Sequence, residues 1–272
     1  MRYTNPLTQS LHWQKTWFFF PDDIQHVMIS DVSSTTDAPV LSVLDQRLHS
    51  GSIFVDGSTY SATDTLNTTI INAKSVWHGR VGYVIDNSES LTLSLEVGPK
   101  TGNWSAIGTS TQPPYTVDLY AAWLEHRDSS QSVAYTAFPD TTLDEFQVKA
   151  HSNRLAIICN DDQISAIYDS NNKIAMAAFW QPFGGIITFT PCEDWASITI
   201  LTDSNIVIIY QVDTGNITVA DPSQTLDTVD LVFIVNPDGW SSPKWGNVPG
   251  KPITVTLPSG GEAGSSVTQN IW

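Results

Sequence analysis

What most constrains this chain is a near-unbroken succession of short apolar runs cut by turn residues. Residues 24–29, 40–44, 81–85, 91–97, 117–124 and 133–138 are continuously apolar or alternate apolar with polar, and Gly, Pro, Asn, Asp or Ser bound them. The pattern continues through 155–159, 174–179, 185–189, 198–201, 206–212, 230–235 and 253–257. A period of two places alternate side chains on opposite faces, the signature of a half-buried strand. Short runs included, about a dozen and a half strands follow at the regular spacing of stacked antiparallel sheets. Only residues 141–146 read as helix: they follow Pro139-Asp140, and Thr142 and Glu145 stand at capping-box spacing, enough for a turn or two. The expectation is an all-β, antiparallel fold.

At 272 residues the chain has room for one large β domain or two ordinary ones. The helical stretch ends near 149–153, and beyond Arg154 the only cations are Lys173, Lys244 and Lys251. Two β units are expected, roughly 1–150 and 151–272. The Gly- and Ser-rich residues 259–266 read as a loop before a last short strand. With 41% hydrophobic and 10% aromatic residues, apolar burial is sufficient to offset the entropy of folding, which excludes intrinsic disorder.

Charge narrows the partners. Twelve Lys and Arg stand against 28 Asp and Glu, a net -16, and the cations are scattered from Arg2 to Lys251. Phosphate recognition needs clustered cations, so no nucleic-acid partner is expected. No run approaches the ~18 apolar residues of a membrane span, so no membrane partner is expected either. The N-terminus Met1-Arg2-Tyr3-Thr4-Asn5-Pro6 lacks the apolar core of a signal peptide. The low charged fraction of 15% and three sequons, at Asn67, Asn103 and Asn216, nevertheless fit a secreted, extracellular glycoprotein. Cys159 and Cys192 are too few for a zinc motif and are either one disulfide or two buried thiols; export favours the disulfide.

Cofactor motifs fail one by one. There is no phosphate loop with Lys, no His-Glu-x-x-His and no Gly-x-Ser-x-Gly elbow, so neither cofactor nor metal is expected. Asp22-Asp23 and Asn160-Asp161-Asp162 offer oxygens to calcium, but such clusters read first as solvated turns. Ten Trp stand out, because bare aromatic faces stack on the CH faces of sugar rings. Trp123 and Trp180 lie in strand patterns and read as core. Trp104, in the turn Gly102-Asn103-Trp104-Ser105, and Trp240 with Trp245, in a Pro/Gly-rich loop, are the sugar-stacking candidates. His126 and Tyr135 are residue types that can remove a proton and protonate a leaving oxygen in β-elimination, but spacing alone does not bring them together. They read as structural hydrogen-bonding groups, and no catalytic residue is assigned.

Several segments in order resemble the β-rich C-terminal half of the family eight polysaccharide lyases, the hyaluronate, chondroitin and xanthan lyases. Lys15-Thr16-Trp17-Phe18-Phe19-Phe20-Pro21-Asp22-Asp23-Ile24 is similar to that family's Lys-Ser-Trp-Phe-x-Phe-Asp-Asp-x-Ile, and residues 39–47 resemble the strand that follows. Trp77-His78 with Val81-Gly82-Tyr83 and Gly102-Asn103-Trp104-Ser105-Ala106-Ile107 resemble its Trp, Gly-Tyr and Gly-x-Trp-x-x-Ile elements. His126, Val133-Ala134-Tyr135 and Phe138-Pro139 are similar to its His-Gly, Tyr-Ala-Tyr and Leu-Pro run, with Arg127 in place of the Gly. Ile217-Thr218-Val219-Ala220-Asp221-Pro222-Ser223-Gln224 resembles its Val-Ser-Asp-Pro-Thr-Gln.

The resemblance implies a galactose mutarotase-like supersandwich followed by a smaller C-terminal β-sandwich, and an acidic polysaccharide as partner. In the family the eliminating Asn, His, Tyr and Arg lie on an upstream helical domain, which this chain lacks, and the chain starts after the first strands of the family's central domain. The expected role is therefore carbohydrate binding and scaffolding for a lyase, inactive alone. A free-standing carbohydrate-binding β-sandwich is the alternative.

Overall fold

Alternation of apolar and polar residues is realised as antiparallel sheet through nearly all of the chain; the computed structural model describes residues 1–61, 65–86, 89, 91–152, 154–193, 195–235 and 250–272. They fall into two units, Met1–His151 and Ser152–Trp272. Among the described residues, no helix is long and apolar enough to cross a membrane.

In the first unit the strands are β1 (Arg2–Thr4), β2 (Leu11–Phe20), β3 (Ile24–Ser34), β4 (Leu41–Leu48), β5 (Ile53–Val55), β6 (Ser58–Tyr60), β7 (Leu66–Ile71), β8 (Ser75–His78), β9 (Val81–Asp86), β10 (Leu91–Gly102), β11 (Tyr115–His126) and β12 (Val133–Phe138), followed by helix α1 (Leu143–Ala150). They form an eight-stranded sheet, β1-β2-β3-β12-β9-β8-β5-β6, and a four-stranded sheet, β4-β11-β10-β7. Leu91, Leu93, Leu95 and Val97 of β10 share one buried cluster with Val27, Ile29, Val133 and Ile85 of the larger sheet, as expected of two sheets packed face to face. Asp22 and Asp23 close the β2–β3 hairpin with φ of 67° and 56°, a left-handed conformation that Asp tolerates better than most residues. Thr142 and Glu145 form the capping box expected of them, and α1 buries Phe146 edge-on against Phe138 at 5.9 Å. Gly82 is what lets α1 sit there: a Cβ at that position would lie 2.1 Å from the Phe146 ring.

The second unit contains β13 (Leu155–Asn160), β14 (Ile164–Asp169), β15 (Ile174–Phe179), β16 (Gly185–Phe189), β17 (Ile198–Thr202), β18 (Val207–Gln211), β19 (Asn216–Ala220), β20 (Thr228–Val235), β21 (Gly250–Thr256) and β22 (Val267–Asn270). A six-stranded sheet, β13-β14-β15-β18-β19-β22, and a four-stranded sheet, β16-β17-β20-β21, enclose a core in which Tyr168 stacks on Phe189 and Tyr210 packs on Phe233.

The disulfide expected between Cys159 and Cys192 is not formed; both are free thiols. Cys159 lies on β13 at the edge of the six-stranded sheet, and its thiol donates to Asp161 Oδ2 at 2.9 Å. Cys192 stands exposed in the loop after β16, a strand of the other sheet. Sequence distance permitted a bridge; the placement of the two thiols does not supply one.

Candidate functional site

Alternate residues of a strand share a face, so β2 presents Trp13, Lys15 and Trp17 together. Lys15 is paired with Ile29 and Trp17 with Val27, both residues of the buried inter-sheet cluster, which puts this row on the inner face of the large sheet. The smaller sheet ends at β4, where Leu41 and Val43 are exposed. Between β2, β3 and β4 runs a groove of about 550 Å³, bordered by Trp13, Lys15, Trp17, Pro39, Val43 and His126.

The electrostatics of this groove are unlike those of the chain. Although the protein carries 28 acidic residues, no Asp or Glu lines it among the described residues. Its cation is Lys15, whose Nζ sits 5.1 Å from the centroid of the Trp17 ring and 5.8 Å from that of Tyr135. Aromatic faces attract a cation without neutralising it. Among the described residues no carboxylate pairs with Lys15, and burial lowers its pKa from the ordinary lysine value. Tyr3 stacks on Trp13 at 5.2 Å and stiffens that end of the groove.

His126 closes the other side. Its Nε2 lies 2.9 Å from Ser42 Oγ, while Nδ1 is buried without a hydrogen-bond partner among the described residues. Burial first, and the Lys15 charge second, hold its pKa below the usual imidazole value, so the ring is neutral at pH 7. Tyr135 is buried edge-on to Tyr83 at 6.2 Å, and burial pushes its phenol up to about 12. No hydrogen bond joins His126 to Tyr135 among the described residues. The groove offers stacking faces, one positive charge and hydroxyl-bonding groups, which suits binding an anionic sugar better than moving a proton.

The other sequence candidates lie elsewhere. Trp104 is 59% exposed in a short 3-10 turn capped by Asn103, away from the groove lining. Trp240 and Trp245 lie outside the described residues. Trp180 is half-buried and donates to Ser165 Oγ at 3.0 Å. Of the sequons, Asn67 is exposed within β7, Asn103 accepts from both the Ser105 amide and its hydroxyl in an exposed turn, and Asn216 is half-buried and accepts from Asn270 Nδ2. Asp161 bonds the Gln163 and Ile164 amides and the Cys159 thiol, the hydrogen-bonded turn expected of its cluster. A second hollow of the first unit, about 930 Å³, sets Asp86 and Glu89 against Lys74 and so lacks the acid-poor lining of the β2 groove. Sequence reasoning missed Trp13, Lys15 and Trp17 as a group, although their i, i+2, i+4 spacing on a strand was the available signal.

Two antiparallel sandwich units in tandem, the first with an acid-free aromatic groove, define the class of protein. Residues 1–150 match the super-sandwich domain of polysaccharide lyase family 8, and residues 156–230 match that family's C-terminal beta-sandwich domain. The chain belongs to polysaccharide lyase family 8. A chondroitinase AC lyase superposes with a TM-score of 0.81 at 20% identity, over 98% of this chain and 37% of that one. Paenibacillus xanthan lyase gives 0.78 at 16% identity, over 98% and 26%. A chondroitin AC lyase of Streptomyces coelicolor gives 0.67 at 19% identity, over 95% and 32%. Likeness at these identities establishes the fold, which is the supersandwich and β-sandwich the resemblance implied. The chain spans well under half the length of these relatives.

Proposed function

We propose that this chain is the β-sheet portion of a polysaccharide lyase acting on an acidic polysaccharide of the hyaluronan, chondroitin or xanthan class, and that it supplies a binding wall rather than the eliminating groups. The observation that carries this reading is the β2 groove: a polyanionic sugar chain would be repelled by most of a surface of net charge -16, yet here it meets Lys15, Trp13 and Trp17 and, among the described residues, no carboxylate. Three further facts support it: family membership, relatives about three times as long, and the burial of His126 and Tyr135 with no hydrogen bond between them among the described residues. In the whole enzyme an upstream helical domain would take the proton and this chain would hold the sugar. Secretion, and glycosylation with Asn67 and Asn103 as the exposed sequons, belong to the same proposal; with both thiols free, export rests on composition and sequons.

Incubation of the chain with hyaluronan, chondroitin sulfate and deacylated xanthan tests this. Retardation of the protein in a gel containing one of these polymers, without growth of the unsaturated-uronate absorbance, is the expected outcome. Product formation that vanishes in His126→Ala or Tyr135→Phe would overturn the division of labour.

A further inference from the structure

A second surface, on the other unit, has the opposite charge logic. In the four-stranded sheet Ile186 is paired with Leu201, Leu201 with Val232, and Val232 with Pro252. These four residues therefore form one apolar row crossing every strand on the face turned away from the core, which takes the intervening Ile187, Ile200, Leu231 and Phe233. The next row on one side is mixed: Thr188 and Thr199 are bonded to each other at 2.8 Å, and Ile234, paired with Thr199, is exposed beside them. On the other side stand Asp203 and Asp230. At adjacent strands about 4.8 Å apart, the row runs about 14 Å.

Phe183 overhangs one end and is 70% exposed. Its turn packs closely on the sheet: Gly184 has φ +71°, a Cβ there would lie 2.1 Å from the Thr202 carbonyl oxygen, and Gly184 N–H donates to the Gln181 carbonyl at 2.9 Å. Each acid is also fixed by one oxygen: Asp230 Oδ1 accepts from Thr254 at 2.6 Å, and Asp203 Oδ1 from Ser204 at 2.9 Å. Phe183, Ile186, Leu201, Val232 and the two acids border an open hollow of about 450 Å³, within the range of small-ligand sites.

We infer that this face is a carbohydrate-binding subsite for a neutral oligosaccharide. A neutral pyranose has an apolar CH face to lay on Phe183 and the Ile186–Leu201 row, and hydroxyls to donate to Asp203 and Asp230. The same two carboxylates repel uronates and sulfated sugars, so the subsite goes beyond the acidic-polymer groove of β2 and does not share its ligand.

The test is a two-dimensional NMR titration of the whole chain with cellotetraose, maltotetraose and mannotetraose, each to about 10 mM, the range of weak single-ring recognition. Saturable shifts confined to β16, β17 and β20 are expected with at least one of them, weakened tenfold or more in Phe183→Ala and in Asp230→Asn, which keeps an acceptor for Thr254. Trp17→Ala should leave this titration unchanged, and a hyaluronan tetrasaccharide should not compete. Absence of shifts with all three sugars, or shifts that survive Phe183→Ala, would overturn the subsite and leave the β2 groove reading untouched.

Discussion

Arg154 and Asp169 form a buried, two-pronged ion pair at the foot of the second sandwich: Nε lies 2.9 and 3.0 Å from the two carboxylate oxygens and Nη2 lies 2.7 Å from Oδ2. Asp169 also accepts the amides of Asn171 and Asn172 and the Asn172 side chain, so no part of this carboxylate is left bare. Burial alone would raise its pKa, but the bonds to Arg154 and Asn172 outweigh burial and leave it below the usual carboxylate value. A depressed folded-state pKa stabilises above the unfolded value of about 3.9 and is lost as pH falls below it. Arg154→Ala is expected to cost about 3–5 kcal/mol, because it strands a buried charge. Urea denaturation measures this; a loss under about 1 kcal/mol would show the pair to be dispensable.

A separate acid sensitivity is expected from His26. It is almost fully buried, bonds Thr136 Oγ1 at 2.9 Å through Nδ1, and burial lowers its pKa from 6.5 to about 4. The folded state thus refuses a proton that the unfolded chain accepts below pH 6.5, and stability falls between that value and about pH 4, by roughly 3 kcal/mol at most. His26→Asn should flatten this part of the stability-against-pH curve while leaving the loss below pH 4 in place. An unchanged slope would mean that another group titrates there.

Gly82→Ala is expected to loosen α1. The added methyl must displace the Phe146 ring, so a loss of about 1–3 kcal/mol is expected, together with faster exchange of the α1 amides. Wild-type protection in α1 would contradict this.

Thiol chemistry should separate the two cysteines. Burial first, then the bond to Asp161, push the Cys159 thiol up to about 12, whereas Cys192 is exposed. In the native, unreduced protein one thiol should react quickly with a disulfide reagent and one slowly, and two after denaturation. No titratable thiol after denaturation would restore the disulfide.

The strands and α1 were legible because their determinants are local: alternation sets which side chains a strand buries, and Thr142 with Glu145 sets where α1 begins. The β2 groove was not, because it depends on residues 13–17 overhanging residues 38–43 and 126, a juxtaposition made by the unequal widths of two sheets. Trp104, the turn residue legible as a stacking face, is exposed but does not line this groove. The cysteine pair failed for a related reason: sequence distance shows that two strands can approach, not that their Cβ atoms face one another.

The most direct test of the binding-wall reading is calorimetric titration of the chain with a chondroitin or hyaluronan hexasaccharide, for wild type, Trp17→Ala and Lys15→Met. Saturable binding is expected, weakened roughly tenfold by each substitution, with the salt dependence lost in Lys15→Met alone. Binding that is absent in the wild type, or unaltered in both variants, would contradict the account.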